Sequence, residues 1–394
     1  MSWKATAIEA PIWLAGKLVK SYDRIPEAPQ SIFVLRNNDI GDLLVTSPLF
    51  QALKEIYPGA RLTVAVGPWN KDTLLNNPYV DEVLVVDAPW NNRTCYGKSI
   101  GQVYAGALRY IFQSSQVRDL QKRHFTIGID VLGSHLGSVL LLRLGIPFRL
   151  GVKGLIGGGG ASACQLTIPY DYHQHVSRHN LRFAEILGAR SLPPARPQIY
   201  LSDDERERGE RKWRTRSDAN SSGAARVVIA PGSGHPNKSW GADNFVALAR
   251  ELAQTRSVDI LVLGGAADAN IGEAIASAIS GAVSACGKLS LRESFAAIAA
   301  CDLVFCNGSM VMHAAAAFTK PEVVLLGPEW LSGNVTAWES AQQHQQQWGY
   351  PGTCVSLGPT QLDRRLTTVR EAINAGMELL RQSSVPNALS NTKE

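Results

Sequence analysis

The stretch that decides the fold runs from Ser31 to Ala60, SIFVLRNNDIGDLLVTSPLFQALKEIYPGA. Its opening, Ser31 to Leu35, is a short apolar run bounded by a polar turn, which reads as a buried strand. The turn holds one glycine, Gly41, and an amphipathic pattern follows at once, predicting a helix over 42–57. Asp39 and Asp42 therefore sit at the mouth of a strand-to-helix turn. In open α/β sheets ligands bind outside the carboxyl ends of the strands, so a carboxylate there is placed for chemistry. The dinucleotide fingerprint G-x-G-x-x-G is absent.

The same pattern extends along the chain. Short apolar runs predict strands at 31–35, 61–66, 82–86, 125–130 and 147–151. Helical patterns over 42–57, 69–76, 100–120, 134–144 and 173–188 alternate with them. Such alternation implies βαβ units and a mainly parallel sheet. Four consecutive glycines, Gly157 to Gly160, read as a mobile loop. Residues 191–225 read as a linker region, with a charged helix in SDDERERGERKW whose charges are most simply a solvated face. A second α/β half begins at Arg226. Strands run into glycine turns at RVVIAPGSG, DILVLGG (259–265), CDLVFCNGS (301–309) and EVVLLGP (322–328), with helices over 241–255, 267–279, 291–300 and 310–318 between them. The expected layout is an N-terminal extension (1–30), a Rossmann-like domain (31–190), the linker, a second Rossmann-like domain (226–360), a C-terminal helix (361–382) and a disordered tail (383–394).

Composition narrows the class. With 45% hydrophobic and 19% charged residues the 394-residue chain is globular rather than disordered. The net charge of +5 is modest and its basic residues are dispersed, so no nucleic-acid partner is expected. Six scattered cysteines form no zinc set and read as buried thiols in a reducing compartment. No apolar stretch is long enough to span a bilayer. Residues Ile8 to Val19 hold Trp13, Leu14 and Leu18 with Lys17 and Lys20 close by. They read either as a helix packed on the body of the protein or as an interfacial helix touching a membrane.

In the second half, APGSGHPNKSWGADNFVALA (230–249) carries the chemistry. Gly232, Ser233 and Gly234 can present backbone N–H groups to an anion, and the following helix adds its positive end. Lys238 supplies a point charge, and Trp240 is placed to wall the site. Together they suit a diphosphate. The run GSGHPNKS is not a Walker A loop, because Asn237 stands where a glycine must precede the lysine. In CNGSMVMHAAAAF (306–318) a Gly-Ser turn enters a helix of small residues, with His313 in its first turns facing the expected cleft.

In these four segments the chain resembles glycosyltransferase family 9, the lipopolysaccharide heptosyltransferases. They are RNNDIGDLLVTSPLFQALKEIYPGARLTVAV, HVSRHNLRFAEILGA, APGSGHPNKSWGADNFVALA and CNGSMVMHAAAAFTKPEVVLLGP, in order over roughly residues 31 to 330. The resemblance implies a GT-B fold, two Rossmann-like domains with parallel sheets facing an interdomain cleft. It implies inverting transfer of a sugar, typically heptose from ADP-heptose, to a lipopolysaccharide core or related glycolipid, with no metal or other cofactor. The family's catalytic aspartate falls on Asp42 and its phosphate-contacting lysine on Lys238. Donor contacts fall on Ser233, Gly234, Asp268, Asn307, Gly308, Ser309 and His313. Asp39 and Arg178 lie on the acceptor side. Two positions depart from the pattern: Gly308 stands where the family has a donor-contacting aspartate, and the acidic residue after Gly264-Gly265 is displaced to Asp268.

The residue types fit that chemistry. An acceptor hydroxyl is a poor nucleophile until a carboxylate takes its proton, the role of Asp42. The departing diphosphate gains charge that Lys238 and the 232–234 amides stabilise. The expected location is cytoplasmic, peripheral on the inner face of the inner membrane, since the acceptor implied is a lipid. Two other classes fit the sequence: a non-catalytic nucleotide-sugar-binding or scaffold protein on the same fold, and another Rossmann-type nucleotide-dependent enzyme.

Overall fold

Strand β1 (Ser31–Leu35) forms where the sequence reading places it, with every residue after Ser31 buried. The computed structural model describes residues 3–154, 161–214, 223–234, 238–328, 341–360 and 362–384. These divide into two units, residues 1–195 and 196–394.

In the first unit β1 is joined by β2 (Arg61–Val66), β3 (Glu82–Val85), β4 (Ile127–Asp130), β5 (Phe148–Lys153) and β6 (Leu166–Pro169). All pair in parallel, in the order β3-β2-β1-β4-β5-β6. The helices are α1 (Trp3–Leu18), α2 (Ile40–Leu44), α3 (Ser47–Ile56), α4 (Ile100–Gln113), α5 (Ser115–Gln121), α6 (His135–Arg143) and α7 (Val176–Ile186). Leu49, Phe50 and Leu53 of α3 and Leu181 and Phe183 of α7 share one core with Ile32 and Val34 of β1. Phe33 and Leu35 point the other way, into a core with Ala107 and Ile111 of α4 and Leu140 and Leu141 of α6. The alternation along one strand thus feeds two layers.

The second unit repeats the plan with α8 (Asp203–Arg214), β7 (Ala225–Ala230), α9 (Ala242–Thr255), β8 (Val258–Val262), α10 (Ala269–Ser277), β9 (Val283–Ser284) and α11 (Leu291–Ala299). β10 (Leu303–Asn307), α12 (Met310–Ala317), β11 (Glu322–Leu325), α13 (Ala341–Trp348), β12 (Cys354–Leu357) and α14 (Val369–Ser384) complete it. The parallel order is β12-β11-β10-β7-β8-β9, which matches the first sheet when each unit's strands are numbered from its own first strand. In both sheets the direction of winding reverses beside the first strand, between β1 and β4 and between β7 and β10. That reversal is where α/β sheets open a crevice for ligands.

Several expectations are corrected by local chemistry. The helix expected over 42–57 is two, α2 and α3. The Thr46 hydroxyl donates to the Asp42 carbonyl (2.8 Å) and the Ser47 hydroxyl to the Leu44 carbonyl (2.7 Å), closing α2 early. Pro48 then starts α3, where its missing N–H costs nothing. The helix expected over 69–76 is a single 3₁₀ turn, Lys71–Leu74. The one expected over 100–120 breaks at Ser114 into α4 and α5. The C-terminal helix starts at Val369 rather than 361, behind a capping box in which Glu371 accepts from the Thr368 N–H (2.8 Å) and Thr368 Oγ1 from the Glu371 N–H (3.3 Å). Strands β6, β9 and β12 and the polar helix α13 escaped the sequence reading. Within the stretch expected to be a linker, α8 is instead packed on α11 in the second unit. The Gly157–Gly160 run and residues 385–394 of the expected tail lie outside the described residues.

Candidate active-site residues in the two units

The turn after β1 is pinned from all sides. The Asn37 side-chain amide donates to the carbonyls of Ala88 (3.2 Å) and Trp90 (3.1 Å), and that of Asn38 to Asn91 (2.6 Å). The Asn38 carbonyl accepts from the Trp69 indole (2.7 Å) and the Asn70 amide (3.0 Å). Such a turn is preorganised, so its side chains need little ordering when a ligand arrives.

Arg36 organises the carboxylate. Only 4% of its side chain is exposed. Its Nε donates to the Asp42 carbonyl (3.1 Å), Nη2 to Asp42 Oδ1 (3.2 Å) and Nη1 to Asn38 Oδ1 (3.3 Å). The other Asp42 oxygen accepts from the Asp39 N–H at 3.4 Å. Asp42 is nevertheless 33% exposed, so a carboxylate held on the protein side stays open on the other. Asp39, the residue before α2, is half exposed and lies 3.8 Å from Arg93. Burial and the neighbouring Asp42 charge raise its pKa, against Arg93 and Arg36. Behind the turn, the Asn180 amide of α7 donates to Val45 O and Thr46 Oγ1, both at 3.2 Å. Arg178 is committed on the same helix to an ion pair with Glu185.

The sequence reading missed three polar residues here: Arg36, Asn180 and Asp130. Asp130 ends β4 and pairs with Leu35 of β1 across the point of reversal. It is fully buried, accepting from the Ser134 N–H (2.8 Å) and the Leu132 N–H (3.2 Å). Burial pushes its carboxyl up to about 6 although those amides and Arg36 pull the other way. A Cβ at Gly137 would stand 2.1 Å from its Oδ2, so only glycine lets α6 approach it. An acid closing an apolar strand was the available sign.

In the second unit the loop after β7 is clamped by Asn307, the last residue of β10. Its Nδ2 donates to the Pro231 carbonyl (2.6 Å) and its Oδ1 accepts from the Trp240 N–H (3.0 Å). Asn307 is wholly buried, so its amide sets the loop's shape from beneath. Ser233 is half-buried and Gly234 exposed at the loop's crest, and residues 235–237 lie outside the described residues. Lys238 is half-buried and its carbonyl accepts from the Gly327 N–H (3.1 Å). Its charge, after burial, helps push His344 down to about 3. Asp268 accepts from the Gly265 N–H (2.8 Å), and a Cβ at Gly232 would stand 2.5 Å from its Oδ2, so this acid lies directly against the loop. Gly308 brings no side chain to the β10–α12 turn, and Ser309 caps α12 through the Val311 N–H (3.4 Å).

One expectation changes. Trp240 does not wall a site: it is buried, donates its indole N–H to Thr367 O (2.8 Å) and meets Phe245 edge-on. His313 is buried too, with Nδ1 2.7 Å from the Tyr350 hydroxyl and its ring tilted against Trp348. Among the described residues no group of three or more His, Cys, Asp or Glu side chains is arranged to hold a metal ion.

Residues 114–346 match the model of glycosyltransferase family 9 (heptosyltransferase). The chain is 24% identical over 309 residues to lipopolysaccharide heptosyltransferase 2 of Escherichia coli K12, covering 75% of this chain and 82% of that protein. It is 26% identical over 318 residues to lipooligosaccharide heptosyltransferase 2 of Haemophilus influenzae, covering 76% and 83%. Among solved structures, a family 9 glycosyltransferase from Veillonella parvula aligns with a TM-score of 0.71 at 17% identity, over 92% of this chain and all of that one. ADP-heptose heptosyltransferase II of E. coli aligns at 0.66 and 21%, over 90% of this chain and all of that one. Two Rossmann-like units with this strand order and a family match over more than half the chain lead to one statement: the protein has the GT-B fold and belongs to glycosyltransferase family 9, the heptosyltransferase family.

Proposed function

We propose that the protein is an inverting, metal-independent glycosyltransferase that moves a heptose from ADP-heptose to a lipopolysaccharide core or related glycolipid. The observation that supports this most directly is the Asp42 carboxylate, gripped by a buried guanidinium on one oxygen and one-third exposed at a point of sheet reversal. In this reading Asp42 takes the proton of the acceptor hydroxyl as the hydroxyl oxygen bonds to the anomeric carbon. The bond from that carbon to the diphosphate oxygen breaks with inversion. Lys238 and the amides of Gly232 to Gly234 take up the charge of the leaving diphosphate. Asn307, by clamping the loop, fixes where those amides point. Nucleotide-sugars are cytoplasmic and the acceptor is a lipid. The same reading therefore places the protein in the cytoplasm, at the inner face of the inner membrane.

A second reading, donor binding without transfer, draws on Gly308, which stands where the family resemblance leads one to expect an aspartate. One experiment separates the two. The protein is incubated with cell-envelope glycolipid and a panel of nucleotide-sugars, and the products are read by mass spectrometry. A glycolipid heavier by one heptose supports transfer. Saturable ADP-heptose binding with no such product supports the second reading.

A further inference from the structure

Most of the large hydrophobic side chains exposed among the described residues lie in or just before two helices of the first unit, α1 and α4. There α6 is flanked by α1 and by α4, and its Val139 touches the apolar clusters under both. Helix α1 buries Ile12 beside Leu142 and Ala163 and leaves Trp13, Leu14 and Leu18 in solvent. Helix α4 buries Ala107 and Ile111 and leaves Ala105, Leu108 and Phe112 exposed, spaced three and four apart as one stripe. Tyr96 and Ile100, just before and at the start of α4, are 71% and 79% exposed. Monomeric proteins seldom leave so much apolar surface together without a partner for it.

The charges say what the partner is. Glu9 is the only acidic residue in α1, α4 and α6, whereas Lys17, Arg109 and Arg143 are basic, and Lys20 and Lys98 flank the helices. Lys17 lies over the Trp13 ring at 5.6 Å, a pairing suited to the boundary between hydrocarbon and headgroups. A second copy of the chain would bring the same positive face against itself in a two-fold contact, which like charges oppose. An anionic lipid surface meets both the apolar stripe and the charge.

We propose that the surface of α1 and α4, which flank the covered α6, docks on an anionic bilayer, with Trp13, Leu14, Leu18, Leu108 and Phe112 entering the headgroup layer. This deepens the inner-membrane reading above, but its test needs no turnover, so a failure to transfer heptose leaves the result interpretable. The full chain is co-sedimented with vesicles of phosphatidylcholine alone and of phosphatidylcholine with phosphatidylglycerol. The wild type partitions onto the anionic vesicles, and salt weakens that binding. Leu108→Ser with Phe112→Ser lowers the partition by roughly tenfold or more, since both side chains lose apolar burial in the membrane. Lys17→Glu with Arg109→Glu, which leaves the apolar stripe in place, lowers it by roughly tenfold or more through charge alone. Thermal unfolding of each variant checks that it is folded. Anionic-vesicle binding by neither the wild type nor any variant overturns the proposal. So does wild-type partition in the charge-reversed pair. A serine pair that converts a dimer to a monomer while vesicle binding stays unchanged also overturns it, and would make the face a subunit interface.

Discussion

At the scale of the single residue, Asp42 is defined by what surrounds it. Arg36 fixes one carboxylate oxygen and the backbone carbonyl of the same residue, so the side chain has little freedom to turn away. Asp42→Asn preserves shape and one acceptor for Arg36 but removes the charge and the ability to take a proton. Transfer should then fall by roughly 10²–10⁴-fold, while calorimetric affinity for ADP-heptose stays near wild type. Turnover close to wild type would remove Asp42 from the role of base. Lys238→Ala should instead weaken binding of ADP and slow transfer together, since in the proposed mechanism its charge acts on the leaving group. Unchanged ADP affinity with an unchanged rate would leave Lys238 a bystander. The place of Asp42 in a strand-to-helix turn was legible in the sequence because strand, turn and helix are contiguous there. Arg36 and Asp130 were not, because their meaning depends on β1 lying beside β4, and the intervening segments hide that pairing. Trp240 misled for the opposite reason. An aromatic beside a phosphate-type lysine reads as a wall, but its indole is used to hold the chain at Thr367.

At the scale of the element, α8 shows how a charged run can be structural. Its residues read as a solvated face, and most of them are exposed. Glu205, Gly209 and Trp213, four apart, form the stripe that meets α11. A Cβ at Gly209 would stand 2.3 Å from the Ala296 carbonyl, and the buried Trp213 indole donates to Ala297 O at 3.1 Å. Glu205 accepts from Arg292 Nε and Nη2, both at 2.7 Å, with each side chain only 10% exposed. The pair holds the Glu205 carboxyl down at about 2, chiefly through the hydrogen bonds to Arg292. Breaking a buried pair strands one charge. Arg292→Met should cost about 3–5 kcal/mol in urea unfolding, whereas Glu205→Leu with Arg292→Met should recover most of it. A loss below about 1 kcal/mol in the single variant would show that water solvates the stranded carboxylate. The four-residue spacing was present in the sequence, but glycine and glutamate on a packing face do not register as apolar periodicity. Strands β6, β9 and β12 were hidden differently. They are short edges, and β9 has only two residues.

At the scale of the whole molecule, the two-unit α/β plan was the most legible feature, because each buried parallel strand is a continuous apolar run ending in a turn. The boundary was blurred by α8, which the unit contacts assign to the second unit. Stability across pH is also a property of the whole chain, and two buried groups of the first unit push it in opposite directions. His179 of α7 packs edge-on against Tyr170, with neither ring nitrogen hydrogen-bonded among the described residues. Burial, then Arg182 and Arg36, lower its pKa to about 4 from 6.5. Its neutral form is fully favourable above pH 6.5, and that contribution is lost as pH falls towards 4, on the order of 3 kcal/mol at 1.36 kcal/mol per unit. Asp130, raised to about 6 from 3.8, does the reverse: its contribution is fully present below 3.8 and is lost as pH rises through 6. Between pH 6.5 and 4 the two therefore offset. His179→Phe keeps a ring against Tyr170 and removes one side of the balance. Relative to wild type, the variant should gain stability steadily as pH falls through that window. Asp130→Asn should lose ground to wild type over the same window. Denaturant unfolding of the three proteins at several pH values between 7 and 4 measures both slopes. A constant difference between His179→Phe and wild type would mean that the histidine titrates alike in the folded and unfolded chains.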